Sequence, residues 1–290
     1  MAEAKAFGAG TVVNALATGK GVAFAISLIT KVKVELSGRS VTFILNGEES
    51  KSEVAERVLR SFGSGGVVEV ESEIPQGSGL GSSSAFMNAL ITACLKERGE
   101  RLDARRILTA NSRLSLEMGI SYTGAFDDAS ASLLGGLVVT DNFAMKILKW
   151  EELNTSCLLL FPEWERGNVN LKEIQRDPKP VEIALKEVLR GNIRQAMLHN
   201  SMYYCRVLSY TFQPIEVATK YDVSAGLSGN GPTFLALGDK KELKQLSSEW
   251  QEFGKVKMVE VVNEKAEDVE IPESLFTNFS HFTPRTSSSG

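Results

Sequence analysis

Three glycines, Gly77, Gly79 and Gly81, alternate through a stretch that runs straight into three serines, Ser82, Ser83 and Ser84. Glycine removes the side chain where backbone must approach a ligand and permits positive φ. Successive N–H groups in such a loop form an anion-binding concavity. The helix that follows opens with unsatisfied N–H groups and a dipole that favours negative charge. The serine hydroxyls can donate to phosphate oxygens or ligate Mg²⁺. Strand, glycine loop, serines and helix therefore predict a phosphate cradle over residues 74–85. Its members are Pro75, Gln76, Gly77, Ser78, Gly79, Leu80, Gly81, Ser82, Ser83, Ser84 and Ala85. No Lys follows the last glycine, so this is not a Walker A loop. No acidic residue closes a second parallel strand at the right distance, which argues against a dinucleotide fingerprint.

Histidine and thiol chemistry are poorly supplied. The chain has two histidines, His199 and His281, and three cysteines, Cys94, Cys157 and Cys205, with no CxxC pair. Neither a disulfide framework nor a zinc site is supported, and each cysteine reads as a small buried hydrophobe. The adjacent carboxylates Asp127 and Asp128 read, on composition alone, as a solvated turn or a helix N-cap.

Elements to position these residues can be read from periodicity. Lys31–Leu36 alternates as a half-buried strand, Ser37–Ser40 suggests a hairpin turn, and Val41, Phe43 and Leu45 suggest the returning strand. Ser50 with Glu53 forms a possible capping box for a helix through Val54, Val58, Leu59 and Phe62. Val67–Ile74 alternates again and feeds the glycine loop. Ala85–Leu95 is apolar nearly all round, as a buried helix is, and a second helix is expected over about Leu102–Met118. Later come a buried strand at Ser156–Phe161, helices over Val181–Leu208 broken at Gly191-Asn192, and a strand–loop–strand at Ala225–Leu237. A helix at Lys241–Trp250 and a strand at Lys255–Val262 follow. At 290 residues the chain suggests two lobes, divided near residue 150 into 1–150 and 151–290. The tail after Ser280 is expected to fray.

Composition excludes several classes. A net charge of −4 with scattered Lys and Arg argues against nucleic acid and against a basic membrane-binding face. No long apolar run could span a bilayer, and Met1–Gly10 does not read as a secretion signal. A cytoplasmic location is the expectation.

With these residues in place, the chain resembles the galactokinase, homoserine kinase, mevalonate kinase and phosphomevalonate kinase (GHMP) superfamily. Pro75–Ala85 resembles its second motif, P-x-G-x-G-L-G-S-S-A, with one extra serine. Gly226-Leu-Ser-Gly229-Asn-Gly231-Pro-Thr-Phe-Leu-Ala-Leu237 resembles its third. Gly8-Ala-Gly10-Thr11 and Gly19-Lys20-Gly21 stand loosely where its first motif lies. The resemblance implies an α+β, two-lobed kinase fold. The N-terminal lobe would be like ribosomal protein S5 domain 2, and the C-terminal lobe ferredoxin-like with the glycine motif 226–237. ATP would lie between the lobes, with Gly229 and Gly231 beside its phosphates.

The same resemblance assigns roles. Leu133-Leu134-Gly135-Gly136 is similar to the L-L-G-G that follows the catalytic pair, which implies Asp127 as the base; counting from Glu117 or back from Gly135 fits Asp128 equally well. Glu117 stands where relatives hold Mg²⁺, with Ser84 as its partner. Lys20 reads as a charge-neutralising group for the γ-phosphate or for an anionic substrate. Within the superfamily the closest resemblance is to archaeal-type shikimate kinases, carried by residues 9–21, 78–85 and 123–129. That implies shikimate as acceptor, with Thr11, Asn14, Lys20, Thr123, Asp127 and Arg166 as candidate contacts. Homoserine kinase is the alternative, and a non-catalytic ligand-binding regulator is the alternative of another class. Oligomeric state is not legible.

Overall fold

The computed structural model describes residues 1–277; the expectations for His281 and for the tail after Ser280 lie outside the described residues. Within them two sheets form, one after the other along the chain. The first contains β1 (Ala2–Val13), β2 (Lys20–Leu36), β3 (Val41–Leu45), β4 (Glu48–Ser50), β5 (Gly66–Ser72), β6 (Leu137–Asp141) and β7 (Lys146–Glu151). β2 is its organiser. At 17 residues it holds β1 along one edge and both β5 and β6 on the other: Thr30–Leu36 takes β5 and Lys20–Phe24 takes β6.

That sharing corrects the expected hairpin. β5 occupies the edge of β2 that a returning strand would need. β3 therefore pairs parallel with β5, from Val41↔Gly66 to Leu45↔Val70. The helix α1 (Glu53–Ser61) makes the crossover that a parallel pair requires. The cap also moves. Ser50 ends β4, and Ser52 Oγ accepts the Ala55 N–H at 3.1 Å.

Two helices of this half rest on β1 and β2: α2 (Ser82–Glu97) and α4 (Phe126–Leu134). α3 (Ala104–Glu117) packs outside them. Residues 84–95 of α2 are buried except for Phe86, which is why its sequence shows almost no polar face.

The second sheet contains β8 (Ser156–Pro162), β9 (Val223–Leu227), β10 (Phe234–Gly238) and β11 (Gly254–Glu260). Its order is β11-β8-β10-β9, antiparallel throughout. Between β8 and β9 lie α5 (Leu171–Ile174), α6 (Lys179–Leu189), α7 (Ile193–Val207) and α8 (Gln213–Ala218), and α9 (Lys240–Trp250) joins β10 to β11. The strand order and the β-α-β-β-α-β connections are those of a ferredoxin-like sandwich. Residues beyond β11 return to the first sheet, where Ala266 packs with Phe7 and Ala25 and Phe276 bridges Ile147.

The two sheets meet at a glycine. A Cβ on Gly10 of β1 would lie 2.5 Å from the Phe24 ring and 2.9 Å from Leu235 of β10. Overpacking of this kind costs about 1–3 kcal/mol. Gly10→Ala should lower denaturant-unfolding stability by that amount, and Phe24→Leu in the same chain should recover part of it. Strictly additive losses would show that the contact is not the cause.

Candidate active site

A cavity of about 440 Å³ opens beside the end of β1, among the glycine loop, the starts of α2 and α4, and the loops at 166–169 and 229–230. Its floor is the glycine loop. Gly81 is the N-cap of α2 at φ +67° and supplies no side-chain cap, so the amides at the start of α2 are left to a ligand. The loop is pinned from both sides. Ala9 N–H donates to Leu80 O at 3.0 Å, and the fully buried Ser228 Oγ donates to Gly79 O at 2.8 Å while accepting the Thr11 N–H at 3.1 Å. A side chain on Gly79 would strike the Ser228 carbonyl.

Against the floor stands a second helix N-terminus. Asp127 and Asp128 lie in the first turn of α4, which starts from Ala125 at φ +46°. Asp127 is 5% exposed. Asn142, one residue beyond β6 and fully buried, fixes it from two directions. Its Nδ2 donates to Asp127 Oδ1 at 2.8 Å, and its Oδ1 accepts the Asp127 N–H at 3.2 Å. Thr140 Oγ1 donates to the same Asn142 oxygen at 2.7 Å, and Asn142 Nδ2 also donates to Thr123 Oγ1 at 3.2 Å. Space for the Asp127 carboxyl comes from Gly21, where a Cβ would run into Asp127 Oδ2.

The two helix starts are held in register by buried amides. Asn88 Nδ2 of α2 donates to Ala129 O of α4 at 2.8 Å, and Asn111 Nδ2 of α3 donates to Asn88 Oδ1 at 2.8 Å and to Ser84 O at 2.9 Å.

Charge in this setting is costly. Burial pushes the Asp127 carboxyl above its ordinary range, while the Asn142 hydrogen bond pulls it back down. Asp128 is pushed well above, first by burial and then by the Asp127 charge beside it. Its Oδ1 is inaccessible and has no partner among the described residues. Asp127 is thus the better-supported anion of the pair.

Of the residues expected from sequence, Thr11, Asn14, Gly77, Gly79, Gly81, Ser82, Ser83, Ser84, Thr123, Asp127, Asp128, Arg166 and Gly229 line the cavity. The others of the loop do not. Pro75 and Gln76 are exposed outside it, Leu80 and Ala85 are core, and the Ser78 hydroxyl donates back to Pro75 O at 2.7 Å. Gly231 abuts the Tyr210 ring instead.

Two expectations need correction. Lys20 precedes Gly21 on β2, and strand alternation turns it to the opposite face. It is exposed and lines a separate groove with Glu182 and Lys186. Glu117 lies on the outer side of α3, about half exposed, and pairs with Arg57 at 3.0 Å; Ser115 of the same helix faces the cavity.

Sequence reasoning did not single out Asn142, Gly21, Asn230 or Ser228. For the last three a signal existed, since Gly21 lies in the stretch that resembles the first motif, and Asn230 and Ser228 lie inside the third. As small buried hydrophobes the cysteines were read correctly. All three are free and buried, with the Cys94 and Cys205 thiols pushed up to about 12 by burial. Among the described residues no cluster of three His, Cys, Asp or Glu could hold a metal, and no helix is long and apolar enough to cross a membrane.

Comparisons with known proteins bear on family and fold. The family model "GHMP kinases N terminal domain" matches residues 50–136. A shikimate kinase from Archaeoglobus fulgidus is 48% identical over 276 residues, covering 95% of this chain and 98% of its own. Another, from Methanosarcina mazei, is 39% identical over 264 residues, covering 86% and 89%. In fold, the chain is similar to the Methanococcus jannaschii mevalonate kinase, with a TM-score of 0.71 at 14% identity, covering 89% and 98%.

The raised carboxyl of Asp128 has a stability consequence. The folded state holds that proton more tightly than the unfolded chain does, so this contribution is present below the ordinary aspartate range. It is lost as pH rises through the elevated folded value. Asp128→Asn removes the loss. Thermal melts of the two proteins should coincide near pH 4 and diverge upward, with the variant the more stable at neutral pH; a pH-independent difference would contradict the assignment.

Proposed function

Since the chain belongs to the shikimate kinase family of GHMP kinases, we propose that it transfers the γ-phosphoryl group of ATP to the 3-hydroxyl of shikimate. The products are shikimate 3-phosphate and ADP, as in the route to chorismate and aromatic amino acids. The observation that carries this reading is the meeting, in one cavity, of a helix-capped glycine loop and a buried aspartate. The first suits a polyphosphate and the second a hydroxyl proton.

The amides of Gly79–Ser84 and the hydroxyls of Ser82, Ser83 and Ser84 hold the phosphates. Asp127, oriented by Asn142, accepts the acceptor proton as the new O–P bond forms and the bond between the γ-phosphorus and the bridging oxygen breaks. Transfer is direct, so positioning and charge neutralisation supply most of the rate. The oxygen donors of Ser84 and Asp128, whose Oδ1 is buried and unpaired, fit Mg²⁺, which is commonly bound through one or two carboxylates plus substrate phosphates. With Glu117 turned outward, Asp128 is the carboxylate available to it. Bound there, Mg²⁺ would neutralise charge on the β- and γ-phosphates. We also read the chain as two lobes divided near residue 150, with the cavity between them, and place it in the cytoplasm.

A coupled ADP-release assay with Mg·ATP and shikimate, homoserine, mevalonate or no acceptor tests this. Release with shikimate alone is expected. Release with another acceptor would overturn the substrate, and silence from folded, ATP-binding protein would favour a regulatory role. Asp127→Asn should lower kcat by roughly 10²–10⁴ with little change in the KM for ATP. A near-normal kcat would shift the base to Asp128.

A further inference from the structure

The cavity is short of positive charge. Among the described residues its carboxyl and cationic side chains are Asp127, Asp128 and Arg166. An acceptor that carries a carboxylate would meet two carboxyls and, with Lys20 facing the other way, a single cation. The phosphates have other support in the glycine-loop amides and the α2 N-terminus. Among the described residues, the acceptor has only Arg166.

Arg166 is also free and well placed. It makes no hydrogen bond or ion pair with any described residue, and its side chain is exposed at the cavity wall. The loop that carries it is anchored on both sides by Tyr210. Before Arg166, the Trp164 ring stacks on Tyr210 at 6.5 Å and meets Phe234 edge-on at 5.9 Å. After it, Gly167 N–H donates to Tyr210 OH at 2.6 Å. The Tyr210 hydroxyl in turn donates to Asn230 O at 2.9 Å, and Asn230 Oδ1 accepts from Asn14 Nδ2 at 2.8 Å. These bonds thus anchor the backbone on either side of Arg166 beside Asn14 and the third glycine motif, and leave its guanidinium without a hydrogen-bond or ion-pair partner among the described residues. The buried hydroxyl of Thr11, which lines the same cavity, likewise has no partner.

We infer that Arg166 binds the carboxylate of the acceptor and sets the enzyme's preference for an anionic alcohol. The inference rests on the proposed activity and adds the residue that selects its substrate. Guanidinium and carboxylate match in a two-bond fork, which lysine cannot reproduce.

Steady-state kinetics of the full chain with shikimate and with its uncharged methyl ester test this, using wild type, Arg166→Gln and Arg166→Lys. Wild type should prefer shikimate. Arg166→Gln should raise the shikimate KM by roughly ten- to a hundredfold, abolish the preference over the ester, and leave the KM for ATP within about twofold. Arg166→Lys should fall between them. Retained preference in Arg166→Gln overturns the inference, as does an equal rise in the KM for ATP, which would assign Arg166 to phosphate. If wild type phosphorylates no shikimate, the activity reading falls and takes this inference with it. An active wild type with unaffected variants overturns the inference alone. Arg166 is exposed and unpaired, so melting temperatures of the variants should match wild type and exclude misfolding.

Discussion

The hydroxyl of Ser228 is the point through which the three glycine-rich segments of this chain are tied. It donates to Gly79 and accepts from Thr11, partners that lie 149 and 217 positions away in the sequence. One oxygen, just beyond β9 of the second sheet, uses its proton and a lone pair on two backbones of the first half, the loop between β5 and α2 and the strand β1. The site is buried, so an unmade bond there would leave a polar group without water. The floor, the first strand and the third motif therefore take their positions together or not at all. This explains why glycine occurs where these segments cross: at Gly79 and at Gly10 the neighbouring chain occupies the volume that a side chain would need.

Electrostatics then divides the cavity. The starts of α2 and α4 both present positive helix ends. One is left open for an incoming anion and the other is occupied by the protein's own carboxylates. Burial opposes ionisation of that pair, and Asn142, with the backbone N–H groups of Asp127 and Asp128, favours one member. Two chemically equal neighbours are thereby made unequal. The rise of the Asp127 pKa is partly offset by hydrogen bonds, whereas Asp128, whose Oδ1 has no partner among the described residues, is pushed up further. Burying the pair costs stability whenever either carboxyl is charged, a local conflict of the kind found where a fold departs from its own rules.

What could be read from the sequence was local. The glycine loop announces itself because its chemistry is contained in consecutive residues, and α2 because burial on all sides leaves an uninterrupted apolar run. The helix broken at Gly191-Asn192 and the strands on either side of the third motif were legible for the same reason. Orientation was not. Glu117 has the right spacing to Asp127 along the chain, yet the rotation of α3 presents Ser115 to the cavity instead. β3 was expected on β2 because a short polar turn joins them; it lies on β5 because β5 takes that edge. Competition among strands for one edge has no signature in either strand. Asn142 follows a strand that the sequence reading did not identify, and a single asparagine there carries no local mark of its role.

The failure at Lys20 shows how closely the reading came and what decided it. Register pairs Lys20 with Asp141 and Gly21 with Thr140 across the β2–β6 ladder. Asn142, the next residue, donates its N–H to Gly19 O at 2.8 Å. Asp127 therefore rests over the end of a two-strand ladder, with Gly21 opening the space and Asn142 providing the hydrogen bonds. A residue's difference in register would put the lysine under the aspartate, where the two would form a buried ion pair and the carboxylate would lose its basicity. The pleat keeps the charge one position away and places a hydrogen atom where a side chain would have run into the Asp127 carboxyl. The carboxylate thus takes its position from the backbone of a central strand, which is held on both edges and has little freedom to move.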